Sequence, residues 1–294
     1  MSGLVVVGVD GSSSSLAAVD VAVREARLRS AALHVVHGFT WPALHPPAGP
    51  SPLGPARGAL RESVEHMVSV AARRARAQAP DVEVTHAVVV GEALAVLEAQ
   101  SRGATLLVVG NRGHGRLAGV LVGSVPAHLA AHAHCPVMVV RGRPDPVGPV
   151  LAGVDGSPES RAAVVLACTE AAIRGTGLVA LHVWGTRGDR TEVMLGLRTE
   201  EEHAARLRAE AEQVLTDALT GLSGSRTGVK VSRRSVRGPV RQSLIAESEG
   251  AQLLVVGARG HGGFAGLLLG SVSQAGLHRA DCPVVVVPGT GRKE

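Results

Sequence analysis

Aromatic side chains are nearly missing from this chain. It has no tyrosine, two phenylalanines and two tryptophans among 294 residues. Base-stacking platforms for nucleic acid are therefore not expected. The cores must be assembled from Val, Leu and Ala, within a hydrophobic content of 45%. Lysine is almost as scarce, at positions 230 and 293 only, so arginines carry the net charge of +5. They form no dense basic run. The charge reads as a solvated surface that attracts anionic ligands, and no nucleic-acid partner is expected. Cys135, Cys168 and Cys282 are odd in number and lack CxxC spacing. They read as buried thiols in a reducing cytosol, not as a disulfide framework. No apolar run approaches the ~18 residues of a membrane span. Met1-Ser2-Gly3-Leu4-Val5 has no basic n-region, so no signal peptide is read. The expectation is a cytoplasmic protein without a membrane partner.

What the chain does have, it has twice. Gly110-x2-Gly113-x9-Gly123-Ser124 returns as Gly257-x2-Gly260-x9-Gly270-Ser271. Each copy follows an apolar run, Leu106–Val109 or Leu253–Val256, and precedes another that opens Cys-Pro-Val. The repeat extends through the halves: Val7–Ser12 matches Ala152–Ser157, Glu25 matches Glu170, His37 matches His182, and Gly91 matches Gly238. Self-similarity at this period marks two copies of one domain. The expected domains are 1–143 and 148–294. The Pro- and Gly-rich stretch Arg143–Pro149 reads as the linker.

Strand and helix signals alternate in each half. In the first, Leu4–Val9, Leu33–His37, Val82–Val90, Thr105–Val109 and Val137–Val140 read as strands. Leu16–Arg29, Ala59–Gln78, Ala93–Ser101 and Ser124–Ala133 read as helices. Ser157-Pro158 in the second half is a cap followed by proline at the first helical position. The expected fold class is α/β: two tandem doubly wound domains, each a five-stranded parallel sheet with helices on both faces. Such sheets bind ligands beyond the carboxyl ends of their strands.

The glycine spacing suits phosphate. Gly110 and Gly113 are expected to let the loop turn with positive φ and to let backbone N–H groups converge on an anion. Gly123-Ser124 then opens a helix, whose free N–H groups and dipole favour negative charge. Gly257, Gly260, Gly270 and Ser271 repeat the arrangement. Asp10 and Asp155 stand at the ends of the first strands, either facing a ligand or capping the following turn.

These motifs resemble the universal stress protein family, in its ATP-binding branch. Its pattern G-x2-G-x9-G-[ST] recurs here with an early strand ending in Asp and a late strand opening Cys-Pro-Val. The resemblance covers nearly the whole chain, least well at residues 41–58 and 185–200. It implies a Rossmann-like fold of the adenine nucleotide α-hydrolase type and one ATP site per domain. It places Gly8, Asp10, Gly153 and Asp155 at the nucleoside end, and Gly38 and Val183 as backbone contacts to adenine. Val109, Arg112, Val256 and Arg259 complete the walls beside the glycine loops. Ser124-Val125 and Ser271-Val272 follow the last glycines at the phosphate side. The Gly38/Val183 difference is expected to be harmless, and His37 and His182 to be structural. The arginines either reach phosphates or lie in solvent.

One departure breaks the symmetry. The second copy continues Ser271-Val272-Ser273, with two hydroxyls expected on the phosphate side; the first continues Ser124-Val125-Pro126. Pro removes both an N–H and a hydroxyl. The second site is therefore expected to hold triphosphate more tightly. Residues 41–58 hold six prolines (42, 46, 47, 50, 52, 55) beside Trp41, which reads as a stiff loop, either a lid or an idle insertion.

His128, His132, His134 and Cys135 have no matching set in the second half, so no metal is assigned there. There is no GxxxxGK[ST] and no GxSxG. Nothing supplies a general base beside the loops, which disfavours efficient phosphoryl transfer. The leading expectation is a nucleotide-sensing stress regulator that signals through an unknown protein partner, associates as a homodimer of tandem chains, and takes ATP with Mg²⁺ left open. The alternatives are a slow ATPase or self-phosphorylating enzyme, a cAMP-binding module, and an interaction protein with a vestigial pocket.

Overall fold

The computed structural model describes residues 3–40, 54–113, 123–185, 193, 199–222, 228–261 and 268–289. The chain divides into two compact units, Met1–Val140 and Arg141–Glu294. In the first, β1 (Leu4–Gly8), α1 (Ser13–Leu28), β2 (Ala32–Phe39), α2 (Gly54–Gln78), β3 (Val84–Val90), α3 (Ala93–Ser101), β4 (Leu106–Gly110), α4 (Ser124–His132) and β5 (Val137–Val140) alternate without exception. The sheet order is β3-β2-β1-β4-β5, with every pairing parallel.

That order comes from a reversal. The chain steps outward from β1 to β3, then returns past β1 to β4 and β5. Right-handed crossovers place the helices of the outward and returning steps on opposite faces. Accordingly α1 packs with α2, and α3 with α4. Strands covered on both faces need apolar residues throughout; β4, Leu-Leu-Val-Val-Gly, is buried at every position.

The second unit repeats the plan with β6 (Val150–Val154), α5 (Pro158–Ile173), β7 (Leu178–Trp184), α6 (Glu200–Leu219), β8 (Val231–Arg237), α7 (Val240–Ser248), β9 (Leu253–Gly257), α8 (Ser271–Arg279) and β10 (Val284–Val287). Its order is β10-β9-β6-β7-β8, again parallel. Local caps fix where the helices start. Ser12 Oγ accepts the Ser15 N–H at 3.2 Å, and Ser157 Oγ accepts the Ser160 N–H at 3.1 Å. A capping box opens α6: Thr199 Oγ1 accepts from the Glu202 backbone at 3.2 Å, and Glu202 accepts from the Thr199 backbone at 2.8 Å.

Two expectations need correction. The proline-rich stretch ends earlier than read, because α2 already starts at Gly54. Pro55 falls in its first turn, where no N–H is needed. The rest of that stretch, 41–53, lies outside the described residues. Strand β2 also runs on to Phe39, because β3 continues beside it as far as Val90. The three cysteines are free and buried, as the sequence reading had them.

Candidate functional site

The candidate residues gather at and just beyond the carboxyl ends of the strands in each unit. The second unit is described more completely. Strand β6 ends at Val154, and the next residue, Asp155, uses both carboxylate oxygens. Oδ1 accepts the Ser157 N–H at 3.0 Å and the Ser157 hydroxyl at 2.6 Å. Oδ2 accepts the His261 N–H at 3.0 Å, reaching across to the glycine loop. Burial raises the carboxyl pKa, but the bonds from Ser157, His261 and Ser160 outweigh it, so the pKa lies below its ordinary value. Asp155 therefore does what the turn-cap reading described, and also ties the first strand to the glycine loop.

A histidine on the neighbouring strand β7 completes the support. His182 Nδ1 lies 2.7 Å from the Val154 carbonyl. A carbonyl only accepts, so Nδ1 carries the proton. His37 holds the Val9 carbonyl in the same way at 2.6 Å. Each histidine holds the carbonyl of the residue just before an Asp, Asp10 or Asp155, in line with a structural role.

The motif glycines serve a different purpose from the one expected. None of Gly110, Gly113, Gly123, Gly257, Gly260 and Gly270 has positive φ; the left-handed glycines beside the site are Gly11 and Gly156. What demands glycine in the loops is space. A Cβ on Gly113 would lie 2.5 Å from Asp10 Oδ2, and one on Gly260 would overlap Asp155 Oδ2. A Cβ on Gly257 would come within 2.9 Å of the Glu159 backbone, and one on Gly110 within 2.7 Å of the Ser14 backbone. The first-strand turn and the glycine loop are thus packed backbone against carboxylate and backbone against backbone.

The far end of each loop is pinned alike. Gly123 N–H donates to the Asn111 carbonyl at 2.9 Å, and Gly270 N–H donates to the Ala258 carbonyl at 2.8 Å. Each of these glycines caps a nine-residue helix with extended backbone. The first N–H groups of a helix have no partner within it. Ser124 and Ser271, the first helical residues, are exposed, and Val125 and Val272 follow them half-buried. The helix starts therefore leave backbone donors at the carboxyl end of each sheet.

The hydroxyl of Ser273 is not among those donors. It is buried and donates to the Gly257 carbonyl at 2.6 Å, with the Ala258 carbonyl at 3.3 Å. The second phosphate-side hydroxyl expected from the sequence instead fastens α8 to the end of β9. What remains of the asymmetry is the backbone: Ser273 keeps an N–H and Pro126 has none. A further difference was not expected. In the first unit the Arg112 N–H donates to Ser14 Oγ at 3.3 Å, and Ser14 Oγ donates to Asn111 Oδ1 at 2.8 Å. In the second, Glu159 and Ala258 replace Ser14 and Asn111, and no such latch forms among the described residues.

The remaining candidates on the strands are packing residues. Val109 and Val256 are buried and touch the strand glycines beside them: a Cβ on Gly8 would lie 3.4 Å from Val109, and one on Gly153 3.3 Å from Val256. Gly38 and Val183 are not interchangeable. A Cβ on Gly38 would meet the Ala93 backbone at 2.7 Å, whereas Val183 is accommodated and buried in the second unit. The Arg112 and Arg259 residues are exposed. Sequence reading missed Trp184, at the end of β7. Its indole N–H donates to Ser235 Oγ at 2.8 Å, and the Arg237 guanidinium lies 6.0 Å from its ring centre. On α4, the His128 and His132 rings stack at 4.0 Å, and Glu98 lies 3.6 Å from His128 Nε2 and 3.9 Å from His134 Nε2.

The described side chains around the loop leave few groups for acid, base or metal chemistry. Asp155, the carboxylate closest to the second loop, is engaged by hydrogen bonds. Among the described residues no group of three His, Cys, Asp or Glu side chains is disposed to hold a metal ion.

A profile of the universal stress protein family matches residues 1–141 and again residues 147–288. A universal stress protein of Mycobacterium tuberculosis strain H37Rv is 37% identical, with 96% of this chain and 95% of its own covered. One from Mycolicibacterium smegmatis is 38% identical, with 96% of each chain covered. The solved structure of a universal stress protein from Archaeoglobus fulgidus shares the fold at 19% identity, with a TM-score of 0.69 over 98% of this chain and 99% of its own. The chain belongs to the universal stress protein family and carries its domain in two consecutive copies.

Proposed function

We propose that each unit binds an adenine nucleotide at the carboxyl end of its sheet, and that the protein acts as a nucleotide-responsive regulator. Support comes chiefly from the way the glycine loop and helix start are held. The loop is fixed at one end by Asp155 and at the other by the Gly270–Ala258 bond. Just beyond the second tie, the first N–H groups of α8, on Ser271, Val272 and Ser273, have no partner within the helix. A pre-formed cradle of this kind binds phosphate without first paying to order itself. ATP is the nucleotide favoured by the family resemblance. Its triphosphate matches a site with several backbone donors. Buried, free thiols are compatible with a reducing cytosol.

The second unit is the tighter site in this reading. Its helix start keeps the N–H that Pro126 lacks. Its loop also keeps the Arg259 N–H clear of the latch that engages Arg112 in the first unit. Bound nucleotide is expected to alter the surface offered to a partner. Efficient hydrolysis is not part of the proposal, because no described side chain beside the loops is placed as a base.

Calorimetric titration of the full chain with ATP, ADP and cAMP tests this reading. Two binding events with ATP, the stronger removed by Gly260→Ala, are expected. Preference for cAMP at both sites would replace the triphosphate reading with a cyclic-nucleotide one. Steady phosphate release abolished by Gly260→Ala would favour an enzyme.

A further inference from the structure

The second unit ends on a strand unlike its counterpart in the first. Strand β8 pairs with β7 alone, so its other side is a free edge among the described residues. Between positions 230 and 241 the chain carries Lys230, Arg233, Arg234, Arg237 and Arg241 and no acidic residue. All of these basic residues are exposed. The counterpart, β3, is an edge as well. It reads Val-Thr-His-Ala-Val-Val-Val, without Lys or Arg, and Glu83 and Glu92 flank it. Lys and Arg often guard a free edge against unwanted pairing. A general need for such a guard would apply to β3 equally, and β3 lacks it.

Backbone register decides what the edge offers. The Leu178 N–H donates to the Lys230 carbonyl, and the Gly238 N–H donates to the Trp184 carbonyl, each at 3.0 Å. Alternate residues of a strand bond to opposite neighbours, so Val231, Arg233, Ser235 and Arg237 turn their N–H and C=O groups away from β7. Side chains alternate too. Arg233 donates to Thr216 Oγ1 on α6 at 3.2 Å, and Arg237 lies over the Trp184 ring. Arg234 lies on the other face, 2.9 Å from Glu247 of α7. Positive charge therefore borders the free edge on both faces. The side chains of Lys230 and Arg241 have no hydrogen bond or ion pair among the described residues.

An extended segment laid along this edge gains main-chain hydrogen bonds, and its side chains alternate over the same two faces. Acidic side chains on it meet Arg233 and Arg237 on one face and Arg234 on the other. Opposite charges across a strand pair attract, and like charges repel. We propose that the free edge of β8 is a docking site for an extended acidic segment of a partner protein, which joins the second unit's sheet as a further strand. The proposal stands apart from nucleotide binding and does not depend on it. Single-stranded nucleic acid would meet the same charge. It makes no use of a row of outward N–H and C=O groups, and Trp184 is the one aromatic ring beside the edge for a base to stack on.

The test is fluorescence anisotropy of the full chain with three labelled probes. One is a peptide of about eight residues, the length of such a strand, alternating Glu with Val or Thr. The second has Lys in place of Glu, and the third is an oligothymidylate. The Glu peptide should bind, the Lys peptide should not, and added salt should weaken the binding. Lys230→Glu combined with Arg233→Glu should lower affinity about tenfold or more. Val231→Pro removes an outward N–H, breaks no bond to β7 and leaves every charge in place. It should also weaken the Glu peptide about tenfold, with the denaturation midpoint showing that the variant is folded. Failure of the Glu peptide to bind the natural chain, or equal binding of the Glu and Lys peptides, would overturn the proposal. Undiminished affinity in folded Val231→Pro would overturn strand addition. Tighter binding of the oligothymidylate, lost in the Glu variant, would replace the acidic segment with nucleic acid.

Discussion

The Asp155 carboxylate occupies the space a side chain at Gly260 would need: a Cβ there would overlap Oδ2, the oxygen that accepts the His261 N–H. A half-buried carboxylate and a bare backbone thus fix each other. The same pair exists in the first unit, where Asp10 Oδ2 lies 2.5 Å from the Cβ position of Gly113.

Gly260→Ala should therefore act through displacement of Asp155. One charge-assisted hydrogen bond, worth roughly 1.5–3 kcal/mol, is expected to go with it. Nucleotide affinity at the second site should fall at least about tenfold, and Gly113→Ala should do the same at the first. Binding titrations of the two single variants would reveal this; loss at both sites from either variant would contradict it.

Ser273 and Pro126 should separate support from binding. Ser273→Ala leaves the buried Gly257 carbonyl short of a donor, a loss of about 1–3 kcal/mol. It should lower the denaturation midpoint of the second unit. Pro126→Ala returns an N–H to the first helix start and should tighten nucleotide binding there several-fold. Denaturant melts for the first and calorimetry for the second would check the pair.

Acid should weaken the second unit through Asp155. Its folded pKa lies below the ordinary 3.8 because hydrogen bonds from Ser157, His261 and Ser160 outweigh the opposing effect of burial. A depressed carboxylate pKa contributes stability that is fully present above the unfolded value. That stability is lost as pH falls through the folded one. Urea midpoints of the natural chain should therefore drop below about pH 3.8. Asp155→Asn should be less stable at neutral pH and show a shallower acid drop.

The thiols should be silent in the folded protein. Burial is the main force raising Cys135 and Cys282, each pushed up to about 12, so neither offers thiolate at neutral pH. Cys168 is also buried. A colourless-to-coloured disulfide reagent at pH 8 should react negligibly with native protein. It should react with all three cysteines once urea is added. Prompt native labelling at Cys135 or Cys282 would contradict this.

Much of the fold was legible in the sequence because burial on both faces leaves unbroken apolar runs such as Leu253–Val256, and because each feature appears twice. Helix α3 and strand β5 fall where their patterns put them. The site was legible as a set of positions, and the reasons for its glycines were not. A spacing shows that side chains are excluded; it does not show whether a bend, a ligand or a neighbouring carboxylate excludes them. At Gly113 and Gly260 it is the carboxylate. Ser273 misled for a related reason, since a hydroxyl at a helix start serves a ligand or a carbonyl equally well, and only packing decides. Gly38 looked neutral because the contact that forbids a side chain there comes from Ala93, far along the chain. The Ser14/Glu159 difference lay in plain view, yet only its place beside Gly110 and Gly257 gives it meaning.

The central claim is that two pre-formed cradles hold adenine nucleotide. Mass spectrometry of ligand released from gently purified protein, after saturation with ATP and removal of the excess, measures this most directly. Two adenine nucleotides per chain are expected, falling to one in Gly260→Ala. No released nucleotide from the saturated protein, or a yield indifferent to Gly260→Ala, would contradict it.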